Sequence, residues 1–318
     1  MKTDKKIVTG YIVLDPRLYA IGKAYTCEPT DAKKFRFTLD CTLIGYLYHY
    51  FCYYHEDFCG FDCFHLIEVS TDDFIHDKYN AGVNIATKIK IIGRLTVDDV
   101  IALNFAAAKN RKFSAITGTH TTKAYSKSRK KLTAIVNGYL NLATSGHKSI
   151  VVIGNEDRSI ASKQYAASGA GTSVFSTAKC SEISVSGMCG FVAASGYRSA
   201  ISSSSMACSL AATGDYARIA ATGRTSQLTC EGNYGRVVAV DDYSSCSATG
   251  ENNVIVIVGQ YSRFKGVKGT PVSAANYDKS GKCIGFVSGC IGKDGLKENV
   301  VYTVREGQFV EAQDQSNE

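Results

Sequence analysis

The chain has 318 residues, more than one hydrophobic core usually fills, so two unlike parts are expected. With 45% hydrophobic residues, 20% charged residues and only three prolines, it lies outside the compositions of disordered and collagen-like chains. No stretch approaches the ~20 consecutive apolar residues that a membrane span needs, and the formal charge of +7 is modest for this length.

The start offers only Ile7 and Val8 before Thr9 and Gly10, which is no secretion leader, so the expectation is a mature, soluble chain made and kept in the cytoplasm. Twelve cysteines in a chain with core to spare fit reduced thiols better than a disulfide framework. Five of them, Cys180, Cys189, Cys208, Cys230 and Cys246, stand among Ala and Ser, where a thiol serves as a small hydrophobe.

Residues 1–125 have the irregular texture of an α+β domain. Strands are expected at 6–14, 65–70 and 84–92, each rich in β-branched or aromatic residues. A helix is expected at 41–50, and a clearer one from Thr96, where Thr96 and Asp99 resemble a capping box with Asp in place of Glu, through 100–108. Cys52, His55, Cys59, Cys63 and His65 crowd soft ligands into fourteen residues. Structural zinc sites show separated knuckle pairs, and this spacing matches none cleanly, so packed thiols are favoured over a metal site. Phosphate loops, His-Glu-x-x-His and Gly-x-Ser-x-Gly are missing from the sequence. Asp72 and Asp73 read as a loop, and Asp98 and Asp99 as a helix N-terminus. The expectation is therefore that the protein is not an enzyme and has no cofactor. Residues 126–137 follow as a basic linker carrying Lys127, Arg129, Lys130 and Lys131, a run that reads as solvated chain before it reads as a nucleic-acid site.

From 169 to 267 the chain repeats every nine residues: GAGTSVFST, AKCSEISVS, GMCGFVAAS, GYRSAISSS, SMACSLAAT, GDYARIAAT, GRTSQLTCE, GNYGRVVAV, DDYSSCSAT, GENNVIVIV, GQYSRFKGV. These are blocks 1 to 11. Position one is glycine in eight of them, which suggests a corner that needs a positive φ. Position six holds Val174, Ile183, Val192, Ile201, Leu210, Ile219, Leu228, Val237, Cys246, Ile255 and Phe264, and position eight is small or apolar. Residues two apart share one face of a strand, so six and eight point inward and five and seven outward. One corner and one strand cannot enclose a core. Two blocks therefore make a coil of a β-solenoid, with coils stacked about 4.8 Å apart.

Weaker copies upstream and a fading one downstream, at 268–276, extend the solenoid to 138–276. Tyr216, Tyr234, Tyr243 and Tyr261 recur at position three, as stacked corner residues or as a binding ladder. Arg218, Arg236 and Arg263 stand outward at position five; Arg218 and Arg236, eighteen apart, repel each other unless something acidic lies against them. Residues 277–318 hold two alternating runs hinged on Glu306 and Gly307, a β-hairpin that caps the last coil.

This order of parts resembles an uncharacterised family of phages and prophages with an N-terminal α+β domain, Ala/Ser/Thr-Gly nonapeptide repeats and a C-terminal hairpin. The carriers are YIVLD at 11–15, IGKAY at 21–25, HLIEV at 65–69, KIKIIG at 88–93, the Ala-Thr-Gly blocks around Gly214 and Gly223, and the ending from Val301 and Tyr302 to QFVE at 308–311. None is an active-site signature. The resemblance implies a phage or prophage protein; with it, a cytosolic chain without catalytic motifs and with an extended patterned surface reads as a binding scaffold acting inside the bacterium on a host protein or complex, a defence complex among them. Nucleic acid is a less favoured partner, no membrane is involved, and a homo-oligomer is possible. Two alternatives stay open: a virion or surface component that binds glycan or ice, and an enzyme activity housed in the N-terminal domain.

Overall fold

The structure, a computed structural model, describes residues 6–27, 35–54, 63–78, 80, 82–110, 114–117, 121–125, 133–137, 140–145, 149–154 and 163–312. The chain divides into two compact units, 1–55 with 61–107, and 56–60 with 108–318.

The first unit is built on a seven-stranded antiparallel sheet in the order Ala24–Thr26, Lys88–Arg94, Phe64–Ser70, Ile7–Val13, Phe35–Thr38, Val83–Ala86, Phe74–His76. The expected strand at 84–92 is two strands. Thr87 breaks it by turning its N–H to the Asp73 carbonyl (3.1 Å), so the halves pair at different places in the sheet. Ile12, Phe37, Ile67, Ile89 and Ile91 fill one face. The helix Val97–Asn110 starts where its sequence signal lies. The Asp99 N–H donates to Thr96 Oγ1 (3.1 Å) and the Thr96 N–H to the Asp99 carboxylate (2.8 Å), so the shorter acid closes the box. The other helix, Ile44–Tyr54, follows a 3-10 turn capped by Asp40, which accepts from the Thr42 N–H.

The second unit is the β-solenoid, of about seven coils of about 18 residues. Strands occupy positions five to eight of each block, beginning one residue earlier in block 2. Odd blocks build one parallel sheet and even blocks the other, with register partners eighteen residues apart, as in Leu210 to Leu228 and Ile201 to Ile219. The ladders begin before 138. Ser114–Thr117 pairs in parallel with Thr133–Asn137, and Thr121–Tyr125 with Leu140–Thr144, so strands that the sequence reading placed in the first domain and the linker belong to the solenoid sheets. Lys127, Arg129, Lys130 and Lys131 lie outside the described residues.

Position six forms the expected inner column in both sheets, and position eight joins it: Val192, Leu210, Leu228, Cys246 and Phe264 face Ile183, Ile201, Ile219, Val237 and Ile255 in one core. Position four also points inward. Its small polar groups are satisfied within the corner, with Ser199 and Ser226 donating to the Gly196 and Gly223 carbonyls (2.8 and 2.9 Å).

The corner works differently from the expectation. The left-handed residue is position three, not the glycine of position one: Cys180, Arg198, Tyr216, Tyr234 and Tyr243 all have φ between 53° and 61°. Each is held there by the next coil, as Tyr216 and Tyr234 donate their N–H to the carbonyls of Asn233 and Glu251 (2.8 and 2.9 Å). The position-one glycine answers close approach instead. A Cβ on Gly232 would lie 2.3 Å from the Gly214 carbonyl oxygen, and one on Gly223 2.0 Å from that of Ser205. Ala178, Ser205 and Asp241, which carry a Cβ there, each lie one coil below a glycine, Gly196, Gly223 and Gly259.

The expected C-terminal hairpin is Tyr302–Arg305 with Gln308–Glu311, turning through Glu306 and Gly307, both at positive φ. It closes the odd-block sheet by pairing Tyr302 with Phe264, and the two rings stack at 5.9 Å. A second hairpin, Pro271–Tyr277 with Cys283–Cys290, closes the even-block sheet; the sequence reading missed it.

Candidate functional site: the outer face of the even-block sheet

The two outer faces of the solenoid differ. On the odd-block sheet, outward positions five and seven are buried from block 1 to block 9, including Phe175, Phe191, Gln227 and Thr229. On the even-block sheet the same positions stay open. A nine-residue period cannot reveal this, because the two sheets carry the same inward pattern.

The open face has three columns. Position five runs Gln164, Glu182, Ala200, Arg218, Arg236, Val254. Glu182 is engaged, accepting from the Gln164 amide (2.8 Å), whereas Arg218 and Arg236 are exposed register neighbours with no carboxylate partner among the described residues. Position seven runs Ala143, Ala166, Ser184, Ser202, Ala220, Val238, Val256, Ser273. The N-terminal part of the position-seven column, with positions eight and nine, lines a shallow trough of about 580 Å³ walled by Ala, Ser, Thr and Val side chains. Beyond Ala220 the face turns apolar, through Val238, Val240, Val254 and Val256.

Exposed tyrosines edge this face. At the corner leading into it, Tyr216 and Tyr234 stack (4.9 Å between centroids, 10° between planes), Tyr197 meets Tyr216 edge-on (5.4 Å), and the Arg198 guanidinium lies over both Tyr197 and Tyr216 (5.2 and 5.7 Å). At the opposite corner Tyr243 stacks on Tyr261 (5.1 Å), with Arg224 over Tyr243. The tyrosines of the sequence reading thus form two separate pairs. Arg263 departs from the expected set. It lies on the odd-block sheet, half-buried, with Nη1 buried and without a hydrogen-bond partner, so it does not share a face with Arg218 and Arg236. Tyr197, Arg198 and Arg224 were missed because they occupy positions two and three, where only the folded corner shows that they stack.

The groups with shifted titration lie elsewhere. Burial pushes the Cys230 thiol up to about 12 and raises Tyr165, both inside the core. Among the described residues no group of three or more His, Cys, Asp or Glu side chains could hold a metal ion. Of the weak metal candidates, Cys63 is buried beside His65, whose Nδ1 lies 2.8 Å from the Cys63 carbonyl; His55, Cys59 and the Cys52 side chain lie outside the described residues. None of the described cysteines is in a disulfide, and none of the described helices is long and apolar enough to cross a membrane. No family model, no curated protein and no solved structure matches the chain.

Proposed function

We propose that this protein is a non-enzymatic binding scaffold that offers the outer face of its even-block sheet to a partner protein. The observation that carries this reading is the contrast between the faces. One is buried, while the other keeps Arg218, Arg236, the stacked tyrosines and a run of valines open to solvent. Tyrosine and arginine around an apolar centre are the residue types that dominate binding energy at protein interfaces. A backbone laddered coil to coil presents them with little backbone ordering cost on association. The resemblance to phage and prophage proteins supports a finer version, in which the partner is a bacterial host-defence complex met in the cytoplasm.

The alternative is a virion or surface component that binds glycan or ice. The rows Ser184 with Ser186 and Ser202 with Ser204 favour it, since flat rows of small polar residues suit a repeating ligand, although position seven changes to Val238 and Val256 further on. Affinity capture from host lysate decides between the readings when wild type is run beside Arg218→Glu/Arg236→Glu and Val238→Asp. A partner held by wild type and lost by both variants supports the scaffold. Equal recovery by all three, or retention on immobilised glycans or ice with no protein captured, counts against it.

A further inference from the structure

We propose that the strand Cys283–Cys290 pairs edge to edge, antiparallel, with the same strand of a second copy of this chain. The strand is the last of the even-block sheet. It is bonded on one side to Pro271–Tyr277; among the described residues its other edge pairs with no strand, and only at Cys290 are the edge groups taken, the N–H by the Asp294 carboxylate and the carbonyl by the Lys293 N–H. An open row of N–H and C=O groups is a template for another strand, and proteins blunt such edges by shortness, charge, proline or a cover. Here charge and proline are missing from the strand itself, and only its two ends are blunted, by a bulge and by Asp294. The strand has eight residues, CIGFVSGC, with neither charge nor proline, and its only irregularity is a bulge near the hairpin turn, opposite Asn276 and Tyr277. Every residue in it is exposed or half-exposed, and Ile284 and Phe286 are both 57% exposed.

The other C-terminal edge shows the contrast. The odd-block sheet ends on Gln308–Glu311, four residues long, with Glu311 paired to Lys297 (2.8 Å). At the C-terminal end of the solenoid one sheet edge is short and charged and the other is long and uncharged.

Electrostatics selects a second copy as the occupant. Each chain carries a formal +7, so two copies repel in general, but the strand itself carries no charged side chain. Lys282 precedes the strand, and Asp294 follows it with its carboxylate accepting from the Cys290 N–H (3.2 Å). Antiparallel pairing centred on Phe286 brings Lys282 of each copy toward Asp294 of the other and sets the two Phe286 rings side by side. Parallel pairing would place Lys282 against Lys282. A two-fold, isologous contact of this kind is the commonest route to a closed oligomer. It would run the ten-stranded sheet of one copy into that of the other, so that two open faces become one.

Sedimentation velocity over a dilution series, with hydrogen exchange at its two ends, tests this on the full chain. The expected result is a species of twice the monomer mass at high concentration that dissociates on dilution, with the 283–290 amides exchanging more slowly in the dimer. Phe286→Lys and, separately, Ile284→Lys should give monomers of unchanged melting temperature. A wild type that stays monomeric at its highest soluble concentration overturns the proposal. So does a dimer whose 283–290 amides exchange as fast as in the monomer, or one that survives in a folded Phe286→Lys or Ile284→Lys variant. Should both variants misfold, the wild-type exchange measurement decides alone.

Discussion

Three substitutions to aspartate in neighbouring strands separate inside, covered outside and open outside. Leu228 is 1% exposed and sits between Leu210 and Cys246 in the inner column. Truncating such a leucine costs about 2–5 kcal/mol, and a carboxylate with no partner in a dry core raises the cost of Leu228→Asp to roughly 5 kcal/mol or more. That equals the whole stability of many domains, so the coils around it should open. Thr229 points the other way yet is also buried, at 2% exposure, because the outer face of the odd-block sheet is covered. Thr229→Asp should therefore cost about 2–4 kcal/mol. Val238, at the same repeat position in the next block, lies half-exposed on the open face, and Val238→Asp should change stability by less than about 1 kcal/mol. Thermal unfolding followed by circular dichroism in the β-sheet band reads all three. The expected order of melting temperatures is Leu228→Asp below Thr229→Asp below Val238→Asp, with the last near wild type. Equal values for Leu228→Asp and Val238→Asp would refute the inward register, and a neutral Thr229→Asp would refute the covered face.

Gly232→Ala should lower the melting temperature by the equivalent of about 2–3 kcal/mol, because its new Cβ would press on backbone 2.3 Å away. Gly269→Ala, with open space around it but φ of +91°, should cost only about 1 kcal/mol, so a reversed order would show that φ rather than coil spacing sets the glycines. Burial raises the folded-state pKa of Cys230 from an ordinary 9.0 to about 12, so the unfolded chain loses its proton first. The stability this thiol contributes should be complete below about pH 9 and drain away between pH 9 and about 12. Cys230→Ala should flatten that part of the denaturation profile, and an unchanged profile would count against the assignment. The segment 108–318, expressed alone, should be soluble with a cooperative β-type transition, since its coils draw stability from one another. Aggregation or a gradual melt of that piece would show that it needs the first unit to fold.

The amino-acid sequence alone determined the coil. A nine-residue period with apolar residues at positions six and eight has one economical solution, two strands per coil with those side chains inside, and the register of Leu210, Leu228 and Cys246 follows it. The Thr96 helix was legible for a similar reason, since a capping box acts within four residues. What lay beyond nearest neighbours was not legible. The glycine of position one looked like a turn residue, and only stacked coils show that the carbonyl eighteen residues back excludes its Cβ while position three takes the left-handed conformation. Arg218, Arg236 and Arg263 looked equivalent because they share a repeat position, but alternate blocks belong to different sheets, and only one of the two has an open outer face. Equivalence in the repeat is set by backbone hydrogen bonds from coil to coil. Exposure is set by what covers each face, which no period of the chain encodes.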